Sequence, residues 1–144
     1  MAGLALPLAG CAPVEPEDSA RVVRVVDGDT VVLSGHGSTR LIGVDTPEVH
    51  GGAECYGREA SRFARRVLRR GRRVGVTVGL ERRDRYGRTL AYVFTGRGRT
   101  FNETLVARGY ARPLTIRPND ELAPELEEAA RRARDRGLGL WARC

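Results

Sequence analysis

Two runs of β-branched residues on either side of an Asp-Gly pair are the feature that most constrains how this chain can fold. Residues 21–26 read R-V-V-R-V-V, Asp27-Gly28 follows, and residues 29–33 read D-T-V-V-L. β-branched residues favour strands, and Asp-Gly between two such runs is the strongest short signal for a hairpin or a bend. The pattern therefore predicts two strands joined by a tight turn.

The rest of the chain continues the strand pattern and adds helices. Further strands are predicted at Thr39–Val44, Val74–Val78 and Thr89–Phe94. Helices are predicted at Tyr56–Arg70, from a capping box at Thr100–Glu103 to Gly109, and from Leu122 to Arg136. Three strands, a helix and two strands is the order of the OB-fold. We therefore predict an α+β protein, a five-stranded OB-fold Greek-key β-barrel over residues 21–144, with one helix between strands 3 and 4 and two C-terminal helices.

Residues 1–20 are predicted to lie outside this domain. Residues 1–10 are apolar, and residues 8–11 (L-A-G-C) resemble the lipobox of bacterial lipoproteins, in which the cysteine is lipidated after cleavage. Residues 12–19 are rich in proline and acidic side chains, as is typical of a tether. The apolar run is far too short to span a bilayer. We expect an exported protein, extracellular or anchored through lipid at Cys11 to the outer face of the bacterial cell membrane; a cytosolic chain with an apolar start is the alternative.

The cysteine count agrees with export. With Cys11 lipidated, Cys55 and Cys144 remain as an even pair in an oxidising compartment. A disulfide between them would tie the C-terminal tail to the middle of the chain, and two free thiols are the alternative. Neither cysteine has neighbours at the spacing of a zinc site.

Arginine supplies every positive side-chain charge of the chain. There are 25 arginines and no lysines against 18 aspartates and glutamates, a formal net charge of +7. The guanidinium group binds phosphate through two parallel hydrogen bonds, and a strongly basic balance favours nucleic acid or an anionic surface as the partner. The basic helix segment 62–73 is expected to be a solvated face that adds salt-dependent attraction to polyanions.

The segment Arg40–Glu48 (R-L-I-G-V-D-T-P-E) places charged residues at the end of a predicted strand. Strand alternation would put Arg40, Ile42 and Val44 on one face. The proline ends the strand and leaves two carboxylates at a rigid exit, where functional groups tend to gather. Taken alone, the segment is equally compatible with a solvated strand end and with a functional site.

Carboxylates are the candidates for binding a metal ion. Asp29 and Asp45 would point into one corner of a barrel, where two carboxylates and a backbone carbonyl suit Ca²⁺, and Glu48 can reach the same corner. Cleavage of a phosphodiester needs such a cation, a base for the attacking water and fixed positive charge. His36 and His50 both lie in glycine-rich loops and are expected to be solvated rather than to act as acid and base.

Four sequence blocks resemble the signature of the staphylococcal nuclease (thermonuclease) family. They are residues 26–31 (V-D-G-D-T-V), 40–48, 56–61 (Y-G-R-E-A-S) and 84–92 (D-R-Y-G-R-T-L-A-Y). Residues 102–109 (N-E-T-L-V-A-R-G) and 139–141 (G-L-W) extend the resemblance over about residues 21–143, in the family's order. The chain is similar to a secreted or lipoprotein-type bacterial member.

The resemblance implies a Ca²⁺-dependent nuclease on an OB barrel, cutting DNA and RNA to leave 3′-phosphate ends. The family's metal carboxylates fall on Asp29 and Asp45, and its carbonyl ligand falls on Thr46. The expected partners are DNA and RNA, preferably single-stranded or locally unpaired, and the expected state is a monomer.

The remaining family roles fall on one glutamate, three arginines and one tyrosine. The water-activating glutamate corresponds to Glu48, and the two phosphate-binding arginines correspond to Arg40 and Arg88. Substrate-binding positions correspond to Arg85, where the best-known members have lysine, and to Tyr86.

Two segments depart from the family pattern. The loop at residues 49–55 is shorter than in the best-known members and lacks their lysines. Near residues 114–116 (L-T-I) those members carry tyrosines, one of which packs against the nucleotide. We expect the second departure to weaken nucleotide binding more than hydrolysis.

Two other functions are open to a chain with these residues. One is a non-catalytic OB-fold module that holds nucleic acid without cutting it; such a module need not keep carboxylates and arginines together at these positions. The other is an envelope protein that holds anionic polymers through its basic charge, which explains the arginines but not the acidic residues.

Overall fold

The chain forms a β-barrel with helices packed around it, and the computed structural model describes residues 13–144. The strands are β1 (Asp18–Val25), β2 (Thr30–Leu33), β3 (Gly37–Leu41), β4 (Val44–Asp45), β5 (Arg73–Arg83), β6 (Thr89–Phe94) and β7 (Arg112–Pro113). The helices are α1 (Gly57–Val67), α2 (Phe101–Ala107), α3 (Ala123–Asp135) and α4 (Leu140–Arg143). Cys11 and the lipobox-like segment lie outside the described residues.

Five strands close the barrel in the order β1-β2-β3-β6-β5. β3 and β6 pair in parallel, and the other neighbours in the barrel pair antiparallel. β5 closes the ring by pairing with β1, and β4 and β7 form a separate two-stranded sheet. The predicted α+β class and five-stranded OB-type barrel, with α1 between its third and fourth strands in chain order, are confirmed.

Apolar strand residues fill the barrel, and helices cover it. Val31, Leu33, Val76 and Val93 are at most 1% exposed, so the β-branched runs that predict the strands also supply the core. Phe101 of α2 is fully buried against them. Removing such side chains from water is the main favourable contribution to folding.

The third predicted strand, Thr39–Val44, is wrong in its second half. β3 ends at Leu41, and Gly43 takes a φ of +79° in the turn before β4. Glycine adopts this left-handed conformation without the clash that a Cβ would cause. The predicted alternation therefore fails, because Leu41, Ile42 and Val44 are all buried. The turn carries Asp45 out of the barrel wall and into the small sheet.

The barrel also begins earlier than its predicted start at residue 21. β1 starts at Asp18, and Val14 packs against the core. The backbone N–H of Glu17 donates to the carbonyl of Val76 at 3.1 Å. Residues 14–17 therefore lie along β5 instead of forming a free tether.

α1 ends earlier than predicted, and α2 begins with the predicted capping box. α1 stops at Val67 instead of Arg70, and the guanidinium of Arg72 donates to the Val67 carbonyl at 2.7 Å. The predicted capping box of α2 is present, with Thr100 and Glu103 each bonding the other's backbone N–H. Within residues 13–144, no helix combines the length and apolar character needed to cross a membrane.

The C-terminus is tied to the middle of the chain. Cys55 and Cys144 are joined by a disulfide, with their Cα atoms 5.9 Å apart. Leu140 of α4 is 1% exposed, and its backbone N–H donates to the carbonyl of Gly109 at 2.8 Å. The chain end is therefore fixed by a buried side chain, a backbone hydrogen bond and a covalent link.

Candidate active site

Strand register brings the predicted charged residues to one end of the barrel. Asp29 directly precedes β2, whose Thr30 is paired with Arg40 on β3. Arg40 is also paired with Leu90 on β6, and Arg88 lies just before that strand. One carboxylate and two arginines thus come from three neighbouring strands.

Asp29 is a buried carboxylate with a defined orientation. It is 6% exposed, and its Oδ2 accepts the backbone N–H of Thr46 at 2.9 Å and the Thr46 hydroxyl at 3.0 Å. Its Oδ1 accepts the hydroxyl of Thr30 at 3.2 Å. These bonds hold Asp29 beside the segment that follows β4, as the metal-site prediction requires.

Arg40 links the glycine turn to the carboxylates. Its Nη1 donates to the carbonyls of Leu41 and Val44, both at 2.7 Å. Its Nη2 lies 3.4 Å from Oδ2 of Asp29 and 3.4 Å from Oδ1 of Asp45. The guanidinium therefore fixes the backbone at the end of β3 and places positive charge between the two predicted metal carboxylates.

Negative charge accumulates at this corner, and Asp27 contributes to it. Burial, together with the nearby charge of Asp29, raises the pKa of Asp27 to about 6. Burial and Asp29 also raise the pKa of Asp45, although the positive charge of Arg40 opposes that shift. The charge of Glu48 adds to the shift of Asp27, so Glu48 belongs to the same corner. We name the group formed by Asp27, Asp29, Asp45 and Glu48 the acidic corner.

Asp27 was not among the predicted site residues. The sequence pattern assigned it only to the bend between β1 and β2. Its Oδ1 accepts the backbone N–H of Asp29 at 3.1 Å. Asp27 therefore stabilises the bend and also adds negative charge to the corner. The spacing D-x-D, with the second aspartate already a candidate, is the signal that could have identified it.

Glu48 stands at the base of the loop at residues 49–53. Its backbone N–H donates to Oε2 of Glu54 at 3.0 Å, and the backbone N–H of Glu54 donates to the Glu48 carbonyl at 2.8 Å. Glu48 itself is exposed. Its main chain is thus fixed while the residue remains accessible to solvent.

Arg88 is held by an aspartate one turn earlier in the chain. Its Nε donates to Oδ2 of Asp84 at 2.7 Å, its backbone N–H donates to Oδ1 of Asp84 at 2.9 Å, and its Nη1 reaches the Thr30 hydroxyl at 3.5 Å. Burial alone would raise the pKa of Asp84, but the hydrogen bonds from Arg88 outweigh it and lower that pKa. Arg88 is therefore directed toward the β2 residue that follows Asp29.

Arg85 and Tyr86 lie on the exposed turn beside Arg88. Nη2 of Arg85 donates to the Tyr86 hydroxyl at 2.8 Å, and the Arg85 guanidinium lies 4.9 Å from the ring centroid. The Arg88 guanidinium is 5.6 Å from the same ring, and Tyr86 is 68% exposed. The turn thus presents an aromatic face and a cation next to the acidic corner.

A cleft of about 390 Å³ opens next to the arginines. Arg40, Arg88 and Tyr86 line one part of it, and Leu114 and Ile116 line another. Leu114 is 41% exposed and Ile116 is 64% exposed. The positions where the best-known family members carry tyrosines therefore form an accessible aliphatic wall.

The predicted disulfide between Cys55 and Cys144 is present, and the prediction that both loop histidines are solvated is wrong for His36, which is half-buried. Nε2 of His36 lies 3.1 Å from Oδ2 of Asp18 at the start of β1. His50 is exposed in the loop after Glu48. The Cys55–Cys144 disulfide lies at the far end of that loop.

The acidic corner suits a hard cation. Ca²⁺ prefers carboxylate and carbonyl oxygens and fills its remaining positions with water. Partial desolvation and the negative charge of Asp29 raise the pKa values of Asp27 and Asp45, and a cation would offset both effects. In the described part of the chain, no three His, Cys, Asp or Glu side chains already form a metal-binding cluster. Coordination by Asp29 and Asp45 would therefore draw on the Thr46 carbonyl and on solvent.

Comparison with known proteins assigns the chain to a family. Residues 38–143 match the family model described as staphylococcal nuclease homologue. The chain is 39% identical over 132 residues to the thermonuclease of Staphylococcus hyicus, covering 88% of this chain and 77% of that protein, and the thermonuclease of Staphylococcus intermedius gives the same figures. It is 35% identical over 141 residues to endonuclease YhcR of Bacillus subtilis, covering 88% of this chain but 12% of that much longer protein. The chain belongs to the staphylococcal nuclease family.

Proposed function

We propose that this protein is a Ca²⁺-dependent nuclease that hydrolyses DNA and RNA to products with 3′-phosphate ends. Its family and the nuclease names of its relatives support phosphodiester hydrolysis. The observation that carries the proposal is the position of Arg40, whose Nη2 lies 3.4 Å from a carboxylate oxygen of Asp29 and of Asp45. A guanidinium beside two carboxylates supports this chemistry, which needs fixed positive charge for the phosphate next to ligands for a metal ion.

In this proposal, Asp29, Asp45 and the Thr46 carbonyl hold the Ca²⁺ ion. The hydrogen bonds between Asp29 and Thr46 support this set, because they keep the two residues side by side. When bound there, Ca²⁺ would supply positive charge to the phosphate and orient the attacking water. Asp27 adds negative charge beside Asp29 but would not itself be a ligand.

Glu48 acts as the base that orients and deprotonates the water. The water oxygen forms a bond to phosphorus, and the bond from phosphorus to the 5′ oxygen breaks. A proton from solvent completes the 5′ hydroxyl, and the phosphate stays on the 3′ side. The exposure of Glu48 on a fixed main chain supports this role, since the base needs access to water and a defined position.

Arg40 and Arg88 stabilise the charge that builds on the phosphate oxygens in the transition state. Guanidinium groups suit this role because they present several N–H donors in one plane. Arg88 is restrained by Asp84 and Arg40 by two carbonyls, so neither needs to reorganise as the charge develops.

Arg85 and Tyr86 are assigned to substrate binding, together with the cleft beside them. An exposed ring next to cations can stack on an unpaired base, which favours single-stranded substrates. Leu114 and Ile116 offer apolar contact without stacking. We therefore expect weaker nucleotide binding than an aromatic wall would give.

We also propose that the protein acts as a monomer after export from the cell. The Cys55–Cys144 disulfide supports export, because such bonds persist in oxidising compartments. Lipidation of Cys11 would keep the enzyme at the outer face of the membrane.

The test is digestion of heat-denatured DNA and of RNA with Ca²⁺, with Mg²⁺ and with a chelator. We expect cleavage of both polymers with Ca²⁺ alone, and product ends that accept a new nucleotide only after 3′-phosphatase treatment. Ends extendable without phosphatase would contradict the proposed bond cleavage. Equal rates with Mg²⁺ would contradict the proposed Ca²⁺ dependence.

A further inference from the structure

Glu54 holds the main chain of Glu48 from two sides. The Glu54 side chain accepts the backbone N–H of Glu48 at 3.0 Å, and the Glu54 backbone N–H donates to the Glu48 carbonyl at 2.8 Å. The loop between them is exposed and rich in glycine; Gly51 and Gly52 have φ values of +78° and +114°, and a Cβ at either would meet no atom within 4 Å. The position of Glu48 therefore depends on the pair at the base of the loop.

The residue after Glu54 is covalently attached to the C-terminus. Cys55 bonds Cys144, whose backbone N–H donates to the Leu140 carbonyl at 2.9 Å. Leu140 is buried in the core, so the disulfide connects the base of the loop to a fixed part of the fold. Two residues after Cys55, Gly57 is packed so closely that a Cβ there would lie 2.5 Å from the Glu48 carbonyl oxygen.

Charge repulsion explains why such an anchor is needed. The Glu54 side chain brings a carboxylate to the loop base, and its negative charge acts on Asp45 of the acidic corner. Like charges at short range favour movement of one of them into solvent. Without the disulfide, Glu54 could move away and release the Glu48 backbone.

We propose that Glu54 is a positioning residue for Glu48 and that the Cys55–Cys144 disulfide holds Glu54 in place. The inference rests on the proposed role of Glu48 in hydrolysis. It predicts that the disulfide affects turnover as well as stability, because displacement of a base by about 1 Å can cost about 100-fold in rate.

The test compares Glu54→Ala, Glu54→Gln and Cys144→Ser with Cys11→Ser, which leaves the Cys55–Cys144 disulfide intact. Cleavage of denatured DNA is measured with Ca²⁺ at a temperature where circular dichroism shows every variant folded. Glu54→Ala and Cys144→Ser should lose about 10- to 100-fold in kcat with KM nearly unchanged. Glu54→Gln keeps an acceptor oxygen and should stay near wild type, as should Cys11→Ser. Folded Cys144→Ser with wild-type kcat would overturn the proposal.

A second readout separates this inference from the proposed function. Amide hydrogen exchange of Glu48 should be faster in Cys144→Ser than in wild type, whether or not the protein cleaves DNA. Unchanged exchange would overturn the positioning role. A wild-type protein that cuts nothing, with the exchange difference present, would instead refute the nuclease assignment alone.

A second inference concerns the basic surface of α1. Residues 57–73 contain eight arginines and one glutamate, a net charge of +7 that equals the formal net charge of the whole chain. Seven of these arginines are exposed and Arg72 is half-buried; across residues 13–144, no acidic side chain lies within ion-pair distance of any of them. We name the group formed by Arg24, Arg62, Arg65, Arg69, Arg70 and Arg73 the α1 arginine surface.

This surface includes a groove between α1 and β1. Arg24, Arg65 and Arg70 line it together with Val23 and Leu68, and its volume is about 400 Å³. Val23 is 42% exposed, so the groove offers apolar contact between its cations. Unpaired arginines around an apolar floor suit a polymer with phosphates and bases.

We propose that the α1 arginine surface binds the part of a single-stranded nucleic acid that extends beyond the cleavage site. Nucleic acid is favoured over an anionic membrane because α1 begins at Gly57, directly against the Glu48 carbonyl. The helix then carries arginines away from the acidic corner over about 16 Å. The inference extends the proposed function from the cleavage site to a second contact with the same strand.

The test uses Arg65→Gln/Arg70→Gln and a matched control, Arg97→Gln/Arg99→Gln, which removes the same charge from an exposed loop after β6. On long denatured DNA, the first variant should show a severalfold higher KM and a salt dependence of binding shallower by about 1.4 in logarithmic slope. On a trinucleotide, kcat/KM should be unchanged. Wild-type cleavage of the trinucleotide verifies the proposed function independently.

Three results would overturn this second inference. An equal rise of KM in the control would trace the effect to net charge. An unchanged KM on long DNA would exclude the contact. Loss of binding to anionic phosphatidylglycerol vesicles with unchanged KM on DNA would assign the surface to a membrane instead.

Discussion

The Nε of Arg88 donates to Oδ2 of Asp84 at 2.7 Å, while Oδ1 of the same aspartate accepts the backbone N–H of Arg88 at 2.9 Å. Both carboxylate oxygens of Asp84 thus accept a hydrogen bond from Arg88. The partly buried pair keeps the guanidinium beside β2 before any substrate arrives. Preorganised charge of this kind is worth more in catalysis than charge on a mobile side chain.

Arg88→Ala should reduce kcat by about 100- to 1000-fold, because it removes a donor to the charge that develops in the transition state. Asp84→Asn should cost less, since the arginine stays but is less well oriented. Steady-state cleavage of denatured DNA measures both. Asp120→Asn, which alters an exposed aspartate paired with Arg117, is the control. Wild-type kcat in Arg88→Ala would show that this arginine does not bind the reacting phosphate.

Arg40→Lys should reduce both activity and stability. Lysine keeps the positive charge but cannot supply the planar set of donors that reaches two carbonyls and two carboxylates. Loss of the carbonyl contacts should lower the free energy of unfolding by about 1–3 kcal/mol. Chemical denaturation and nuclease assays on the folded variant separate the two effects. A fully active, fully stable Arg40→Lys would refute the role given to the guanidinium.

Gly57→Ala should disturb the Glu48 segment. The new Cβ would lie 2.5 Å from the Glu48 carbonyl oxygen and 2.9 Å from that of Pro47. The backbone must shift, at a cost of about 1–3 kcal/mol, and activity should fall with it. Gly96→Ala is the matched control, because its Cβ would meet no atom within 4 Å. Equal thermal midpoints and activities for the two variants would contradict the packing of α1 against this segment.

Tyr92 makes stability sensitive to high pH. Burial, and then its hydrogen bond to Glu121 at 2.9 Å, raises the pKa of the Tyr92 hydroxyl far above its usual value. A raised folded-state pKa gives stability that is fully present below the unfolded value, about pH 10, and is lost as pH rises toward the folded value. Because the chain has no lysine, tyrosines dominate titration in this range.

The thermal unfolding midpoint of wild type should therefore decrease as the pH is raised above about 10. Tyr92→Phe should be less stable near neutral pH by about 1 kcal/mol, because Glu121 loses its donor, and should lose less stability at high pH. Thermal melts at several pH values measure both effects. If the thermal midpoints of the two proteins changed with pH in parallel, the loss of stability at high pH could not be due to Tyr92.

The strands and much of the acidic corner could be predicted from local sequence. β-branched runs specify β1 and β2, and Asp29 and Asp45 follow from their positions beside strand ends. The turn at Gly43 was missed because apolar residues continue through it; the positive φ of Gly43 and the contacts of Arg40 with two carbonyls reveal where the strand ends. Buried residues on both sides of the turn erase the alternation on which strand prediction depends.

Long-range partners were beyond the reach of local pattern. The contact between Glu48 and Glu54 requires the loop to close, and the pairing of Arg88 with Thr30 requires the closed barrel. Asp27 was hidden by its turn signal, since an Asp-Gly pair already explains an aspartate there. These residues become functional candidates only when the register of the strands is known.

Ca²⁺-dependent release of acid-soluble nucleotides from heat-denatured DNA tests the central claim most directly, with wild type and Glu48→Gln side by side. Wild type should release nucleotides with Ca²⁺ and none with a chelator, and Glu48→Gln should be slower by about 100- to 10,000-fold while still binding the DNA. No release by folded wild type in the presence of Ca²⁺, or equal release by the two proteins, would contradict the proposed nuclease mechanism.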